Sequence, residues 1–483
     1  MKLPERVLVA NRGEIAVRVL STCRQLGIHG IWARVESDTP APAETVADQV
    51  VMLEKPSDYL DIPTMLKIAK DVRADAIHPG YGYLSENPRF AAALDGAGIR
   101  FVGAPAKAME AMGDKIRSRE LMEKAGVPVV PGTRDLSDPS AALRATGLPC
   151  LIKASAGGGG KGMQIVREEG DFLAALDSCR RTARAAFGDD RVYLERYVEQ
   201  ARHVEVQVMA SQDEVRTYGT RDCSVQRRHQ KVVEECPAPG LSSALDERIQ
   251  HTAAEAARAV DYRGAGTVEF LLAPDGAFYF LEMNTRLQVE HGVTELVWGR
   301  DLVAEQLQVA AGGSLPAPSA PRGHAIEVRL CAEDPATGLP CNGRIHLLRW
   351  PSGPGIRVDA GVVTGSRVGL DFDSLLAKIM AWGPDRREAA MRLSSALRDL
   401  VLHGVGHNAG RLLDILAHPD FLAGSIHTGW LETQGLGTFA PGRAHAAALA
   451  LASSATAAAP AGTAGRQILP KPYLATPPFR LLP

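Results

Sequence analysis

Hydrophobic and polar positions at the start of the chain switch between two periods. Val7 to Ala10 is a short apolar run, Ala16, Val19, Leu20 and Cys23 recur at i, i+3, i+4 and i+7, and Ile31 to Val35 is apolar again. Short apolar runs suit strands covered on both faces, and a 3.6-residue stripe suits a helix lying over them. The β-α-β rhythm predicts a parallel sheet covered by helices over roughly the first hundred residues. From about residue 113 the pattern reads as α+β: Cys150 to Ala154 and Met163 to Val166 are strands around a glycine loop, and His203, Glu205 and Gln207 alternate with Val204, Val206 and Val208. Leu315 to Pro321 has the small, Pro-rich composition of a linker, strands followed by a helical pattern resume from Arg322, and the end of the chain is Ala- and Pro-rich and offers little core.

Length fits this division, since 483 residues at about 150 per domain give three domains. Lys+Arg of 54 against Asp+Glu of 56 leaves a net charge of -2, so no basic field points to a nucleic-acid partner. No stretch approaches the roughly 18 apolar residues of a membrane span, and the start has no long apolar region with a cleavage site; a cytoplasmic protein with no membrane partner is expected. The seven cysteines are scattered without a C-x-x-C pair, as reduced thiols are.

Lys153-Ala-Ser-Ala-Gly-Gly-Gly-Gly-Lys-Gly162 is the most conspicuous local feature. Consecutive glycines let backbone N–H groups wrap an anion, although a flexible surface hairpin has the same composition. It is not a P-loop: Ser155 stands where the first glycine belongs, Gly162 replaces the metal-binding Ser or Thr, and the loop joins two strands. Gly80-Tyr-Gly82 lacks the third glycine of a dinucleotide fingerprint, which argues against a dehydrogenase.

Chemistry concentrates between Thr267 and Glu290. Asp275-Gly276 is a preferred two-residue hairpin turn; Pro274 then faces Ala277 and Glu269 faces Glu282. Carboxylates roughly 5 Å apart on one face repel unless a cation lies between them. Asn284 shares that face and completes an oxygen set suited to Mg²⁺ or Mn²⁺; a solvated surface pair is the alternative. If the chain stays extended beyond Asn284, then Glu282, Asn284, Arg286, Gln288 and Glu290 line one face, with Arg286 able to fork onto an anion and Glu290 available as a base. Upstream, Arg221 to Lys231 gathers five basic or imidazole groups, for which nucleotide phosphates are the expected partner in a neutral protein; His203 and His229 could equally be structural.

These residues resemble the biotin carboxylase family over positions 1 to about 432. The resemblance runs through Asn11-Arg-Gly-Glu14, His78 to Asn87, Met112-Gly-Asp-Lys115, the glycine loop, Arg221 to Glu235, Tyr262 to Thr267, Glu282 to Glu295 and Gly323 to Arg329. It implies an α/β and α+β architecture: a Rossmann-like pre-ATP-grasp domain at 1–112, an ATP-grasp domain at 113–312 whose glycine-loop lid spans about 130–203, a biotin carboxylase C-terminal domain at 322–432, and a tail at 433–483. By the same resemblance Lys115, Lys153, Gly159, Gly160, Glu195, Arg196, Tyr197, Val198, His203, Gln226, His229, Glu269 and Glu282 would bind ATP. Glu269, Glu282 and Asn284 would hold two Mg²⁺ or Mn²⁺ ions. Lys231, Arg286, Gln288, Val289 and Arg329 would hold bicarbonate, Glu290 would be the base, and Arg329 would face biotin.

The implied enzyme is an ATP-dependent ligase forming a C–N bond. It would activate bicarbonate through carboxyphosphate and carboxylate biotin on a separate carrier protein, since no Met-Lys-Met biotinylation motif occurs in the chain. A carboxyltransferase subunit would pass the carboxyl group on, as in acetyl-CoA carboxylase of fatty acid biosynthesis, or to another acyl-CoA, pyruvate or urea. A second copy of the chain is a further candidate partner, though Ser21 and Gln25 stand where dimeric relatives are often charged. The competing reading is an ATP-grasp carboxylate–amine ligase, against which Arg286 to Glu290 and Arg329 argue. Three departures stand out: Gly292 follows His291 where the family usually has Pro, which would loosen the backbone beside the base; Arg196 replaces Lys; and Phe372 replaces Tyr.

Overall fold

The computed structural model describes residues 2–38, 40–155 and 162–435. The first apolar runs form parallel strands β1 (Arg6–Val9), β2 (His29–Arg34), β3 (Gln49–Met52), β4 (Ala76–His78) and β5 (Arg100–Phe101), in the order β3-β2-β1-β4-β5. Helix Gly13–Gln25 lays Ile15, Ala16, Val19, Leu20 and Cys23 against one face of this sheet, which is the stripe read from the sequence. Met65, Ala69, Phe90 and Leu94 cover the other.

A smaller antiparallel sheet follows, made of β6 (Gly132–Thr133), β7 (Cys150–Ala154), β8 (Met163–Val166) and β9 (Val192–Arg196) in the order β6-β9-β7-β8. Helices Pro139–Thr146 and Phe172–Phe187 close its own core around Ile152, Leu176 and Leu194. Gly159 and Gly160 of the glycine loop lie outside the described residues.

The largest sheet is antiparallel and has eight strands. Six are β10 (Arg202–Ala210), β11 (Val215–Arg227), β12 (Gln230–Cys236), β13 (Gly264–Leu272), β14 (Phe278–Asn284) and β15 (His324–Cys331). Past them come β16 (Gly343–Arg344), β17 (Leu347–Arg349), β18 (Ile356–Ala360), β19 (Arg367–Val368), β20 (Leu375–Gly383) and β21 (Val401–His403). The order β14-β13-β10-β11-β12-β15-β20-β18 shows that the sheet continues across the Pro-rich stretch, because β15 pairs with β12. Helices Arg386–Asp399 and Ala409–Ala417 pack on its far end, where Trp430 and Leu431 are buried.

Two expectations change here. The hairpin loop has three residues, not two: Ala273 N–H donates to the Ala277 carbonyl, and Gly276 at φ +84 supplies the left-handed turn residue. Leu272 therefore faces Phe278, one position off the expected register, and a bulge between Glu269 and Phe270 restores it, so that Glu269 faces Glu282 as expected. The extended run also ends at Asn284: Glu86 accepts from Thr285 N–H, and the chain turns through a loop into helix His291–Trp298 with Glu290 at its N-cap.

Candidate active site

A cavity of about 760 Å³ opens between the four-stranded and eight-stranded sheets, with Tyr81 from the loop after β4 at its wall. It draws Lys153 from β7, His203 from β10, Gln226 from β11, Lys231 from β12, Glu269 from β13, Glu282 and Asn284 from β14, and Arg329 from β15. Lys115, His229, Arg286, Gln288, Val289 and Glu290 complete the wall from loops and helix starts. The turn after Asn284 brings Arg286, Gln288 and Glu290 here by a different path from a continued strand.

Lys231 is the hub. Its Nζ donates to Glu205 at 2.6 Å, Glu269 at 2.8 Å and Glu290 at 2.6 Å. Arg329 Nη2 reaches the other oxygen of Glu290 at 3.1 Å, and its Nε donates to Glu234 at 2.5 Å. Burial works against the Glu290 carboxylate, but Lys231 and then Arg329 hold its pKa below the usual value, so it is ionised and able to accept a proton. Arg286 is fixed by Glu86 at 2.9 Å and by Asn284 Oδ1 at 3.0 Å, with its fork beside Gln288 and Glu290.

The paired carboxylates behave differently. Glu269 is saturated by Lys231, Asn284 Nδ2 at 2.9 Å and Gln288 Nε2 at 2.8 Å, with His203 Nε2 3.2 Å away. Burial opposes charge on His203, yet Glu269 and Glu205 bring its pKa up to about 9. Glu282 has no hydrogen-bond partner among the described residues, and burial followed by the Glu269 charge raises its pKa against the pull of Lys115 and Lys153. An oxygen donor lacking a protein partner, opposite a second carboxylate and beside Asn284, fits a divalent cation that also holds phosphate oxygens.

Not every expected residue reaches the wall. Glu195, Arg196, Tyr197 and Val198 do not line the cavity. Glu195 stands behind it, accepting from Lys153 at 3.1 Å and Arg119 at 2.8 Å, while Arg196 donates to Tyr279. Arg221, read as part of a phosphate-binding cluster, is instead wholly buried and bonded to Glu205, Gln207, Thr267, Gln288 and Thr294. Its place on β11 sets it directly across from Glu205 and against Thr294 of helix His291–Trp298, away from the cavity wall. Residues missed in the sequence include Tyr81, Glu86 and Glu234. Glu205 was visible on the polar face of β10, whereas Glu86 acts on a residue 200 positions away and left no local signal.

Gly292, expected to loosen the chain beside Glu290, has a buried side chain close against it. It lies in the first helical turn, and a Cβ there would meet the buried Met380 sulfur at 2.3 Å, so Met380 fills the space. Phe372 packs under the Arg12 guanidinium, 3.8 Å from the ring centre, at the rim of the same cavity.

A four-stranded and an eight-stranded antiparallel sheet across one cleft, lysines from both, and opposed carboxylates within it define an ATP-grasp ligase. The sequence agrees: residues 4–109 match the family described as biotin carboxylase, N-terminal domain, 114–318 the carbamoyl-phosphate synthase L chain, ATP binding domain, and 327–433 the biotin carboxylase C-terminal domain. The chain belongs to the biotin carboxylase family. It is 45% identical to one of the subunits of pyruvate carboxylase from Methanothermobacter thermautotrophicus, over 88% of this chain and 89% of that one. It is 43% identical to the biotin carboxylase of Nostoc, over 89% of this chain and 98% of that one. The biotin carboxylase domain dimer of Hydrogenobacter thermophilus 2-oxoglutarate carboxylase, solved with MgADP, ADP and bicarbonate, superposes with a TM-score of 0.87 at 39% identity, covering 91% of this chain and 100% of that one.

Proposed function

We infer that this enzyme carboxylates biotin at the expense of ATP, with bicarbonate as the carbon source. The observation that carries this reading is the ionised Glu290 held between Lys231 and Arg329 at the end of the cleft, with Arg286 and Gln288 beside it. Three cations and one base around a space for a small anion suit bicarbonate, and the carboxylate hairpin and Lys115 and Lys153 suit a nucleotide triphosphate next to it.

Glu290 takes the bicarbonate proton, which makes an oxygen nucleophilic enough for in-line attack on the γ-phosphate. Lys115 and Lys153 offset charge on the phosphates, and Glu282, Asn284 and Glu269 would hold Mg²⁺ or Mn²⁺, which would supply further charge neutralisation. Carboxyphosphate forms with ADP as leaving group. Its breakdown gives CO₂ and phosphate, the phosphate removes the ureido proton of biotin, Arg329 stabilises the negative oxygen that this leaves, and the ureido nitrogen then attacks CO₂ and passes the charge to the new carboxylate.

Biotin arrives on a carrier protein, and a carboxyltransferase takes the carboxyl group onward. The relatives include pyruvate carboxylase and 2-oxoglutarate carboxylase components, so the acceptor is set by the transferase. Acetyl-CoA, and with it fatty acid synthesis, is one setting, and capture of the biotinylated partner identifies it. We also propose that the chain pairs with a second copy, which light scattering tests. The central experiment measures phosphate release by the purified chain with Mg²⁺-ATP. Release that requires bicarbonate and rises with free biotin is expected; equal release without bicarbonate refutes the reading.

A further inference from the structure

Behind Arg329 lie two carboxyl groups with too little positive charge between them. Glu234 on β12 and Glu327 on β15 face each other directly, and neither is accessible to solvent. Directly opposed carboxylates repel. Among the described residues Glu234 has one partner, since its Oε1 accepts from Arg329 Nε at 2.5 Å, while its Oε2 is buried without one. Both oxygens of Glu327 are buried and have no hydrogen-bond partner among the described residues.

The charged groups around Glu327 are all engaged elsewhere. Lys378 on β20 donates to the Val289 carbonyl at 2.7 Å and sits 3.3 Å from Glu14 and 3.6 Å from Asp359. Arg329, on the same strand, divides its fork between Glu234 and Glu290. From helix His291–Trp298, Glu290 at the N-cap adds negative charge, and a Cβ on Gly292 would lie 3.5 Å from Glu327 Oε2 and 2.3 Å from Met380, an apolar wall. From β12, Lys231 acts on Glu234 but is bonded to Glu205, Glu269 and Glu290. An ionised carboxylate with no donor, shut off from solvent, is far less stable than the neutral acid. Burial, with the Glu234 and Glu290 charges behind it, accordingly pushes Glu327 well up despite Lys378 and Arg329, and burial lifts Glu234 to about 7.

We propose that Glu327 is a neutral carboxylic acid in the working enzyme, and that Glu234, left ionised by that proton, is the positioning residue holding Arg329 at the Glu290 end of the cleft. The role of Arg329 in this statement rests on the function proposed above; the protonation of Glu327 does not. If Glu327 carried the charge, Glu234 would take the proton and release Arg329 Nε. The guanidinium would then be free to close on Glu290 and quench the base.

Thermal denaturation of the full chain against pH tests the proton. An acid whose folded pKa is raised keeps its proton in the folded state while the unfolded chain loses it above about pH 4.3, so its presence lowers stability progressively as pH rises. Glu327→Gln removes that penalty, and its Tm minus that of the parent should grow steadily between about pH 5 and 9. A pH-independent difference overturns the proposal, and Glu327→Leu must show the same trend if the Gln variant does not fold. Infrared spectra should lose one protonated-carboxyl band in either variant; a parent with no such band to lose also overturns it. Glu234→Gln should lower kcat for biotin carboxylation tenfold or more with KM for ATP within twofold, and an unchanged kcat removes Glu234 as the positioning residue. The melting and infrared readings involve no turnover, so absence of bicarbonate-dependent ATP cleavage would refute the function while leaving the proton test standing.

Discussion

Glu282 and Glu269 share a strand pair, yet their surroundings give them different work. Glu269 is held by Lys231, Asn284, Gln288 and His203, and Glu282 faces the cavity with no side-chain hydrogen-bond partner among the described residues. Glu282→Gln removes the charge most available to a cation, and Mg²⁺-nucleotide affinity should fall roughly tenfold or more, measured by titration calorimetry; an unchanged metal requirement would remove Glu282 from the metal set. Two further substitutions separate the chemical steps. Glu290→Gln should abolish both bicarbonate-dependent phosphate release and carboxybiotin formation, because no nucleophile is generated. Arg329→Ala should reduce carboxybiotin by roughly 10²-fold while sparing more of the phosphate release, since it acts on charge that develops afterwards. Equal loss of both products with saturating biotin would assign Arg329 to bicarbonate. At this scale much was legible: Lys231, Glu269, Glu282, Asn284, Arg286, Gln288, Glu290 and Arg329 all line one cavity. Glu86 and Glu234 were not, because each acts through a partner from another strand or loop.

Among the elements, β11 and the start of helix His291–Trp298 carry the consequences of close packing. Arg221 is a cation with no access to water whose five polar partners come from β10, β13, the loop before Glu290 and the helix itself. Arg221→Ala leaves Glu205 with Lys231 and His203 only, and should cost about 3–5 kcal/mol in denaturant unfolding; a loss of under about 1 kcal/mol would mean the network relaxes around it. Gly292 and Met380 form a matched pair. Gly292→Ala should destabilise more with Met380 present than in a Met380→Val background, by about 0.5 kcal/mol or more in a double-mutant cycle, because the methyl and the sulfur claim one volume. No coupling would mean that the sulfur moves aside at little cost. The carboxylate hairpin shows why register is hard to read: a loop one residue longer than expected and a bulge each shift it by one, and only their cancellation places Glu269 opposite Glu282.

Across the whole molecule, the four-stranded and eight-stranded sheets enclose the site, and the last described helix, Trp430–Thr433, buries Trp430 and Leu431 in the core of the eight-stranded sheet. A chain ending after Gly435 is therefore expected to fold and to retain bicarbonate-dependent ATP cleavage within about twofold of the full chain. Insolubility of that shorter chain would show that later residues pack. No described helix is long and apolar enough to cross a membrane.

What the order of residues determined by itself was local: the β-α-β period, the strands around the glycine loop, the polar face of β10, and a set of charged and amide groups between Glu269 and Glu290 whose chemistry belongs to metal-nucleotide and anion binding. Side-chain period and residue type act over a few positions, so they survive in the linear sequence. The tertiary structure alone decided that Arg221 is buried, that Glu290 is pinned by cations from β12 and β15, that Met380 occupies the space Gly292 leaves, and that the central sheet runs on through β15 and β20. Each of these depends on which strands and helices come to lie side by side, and residues far apart in the chain carry no mark of their partner until the sheets close.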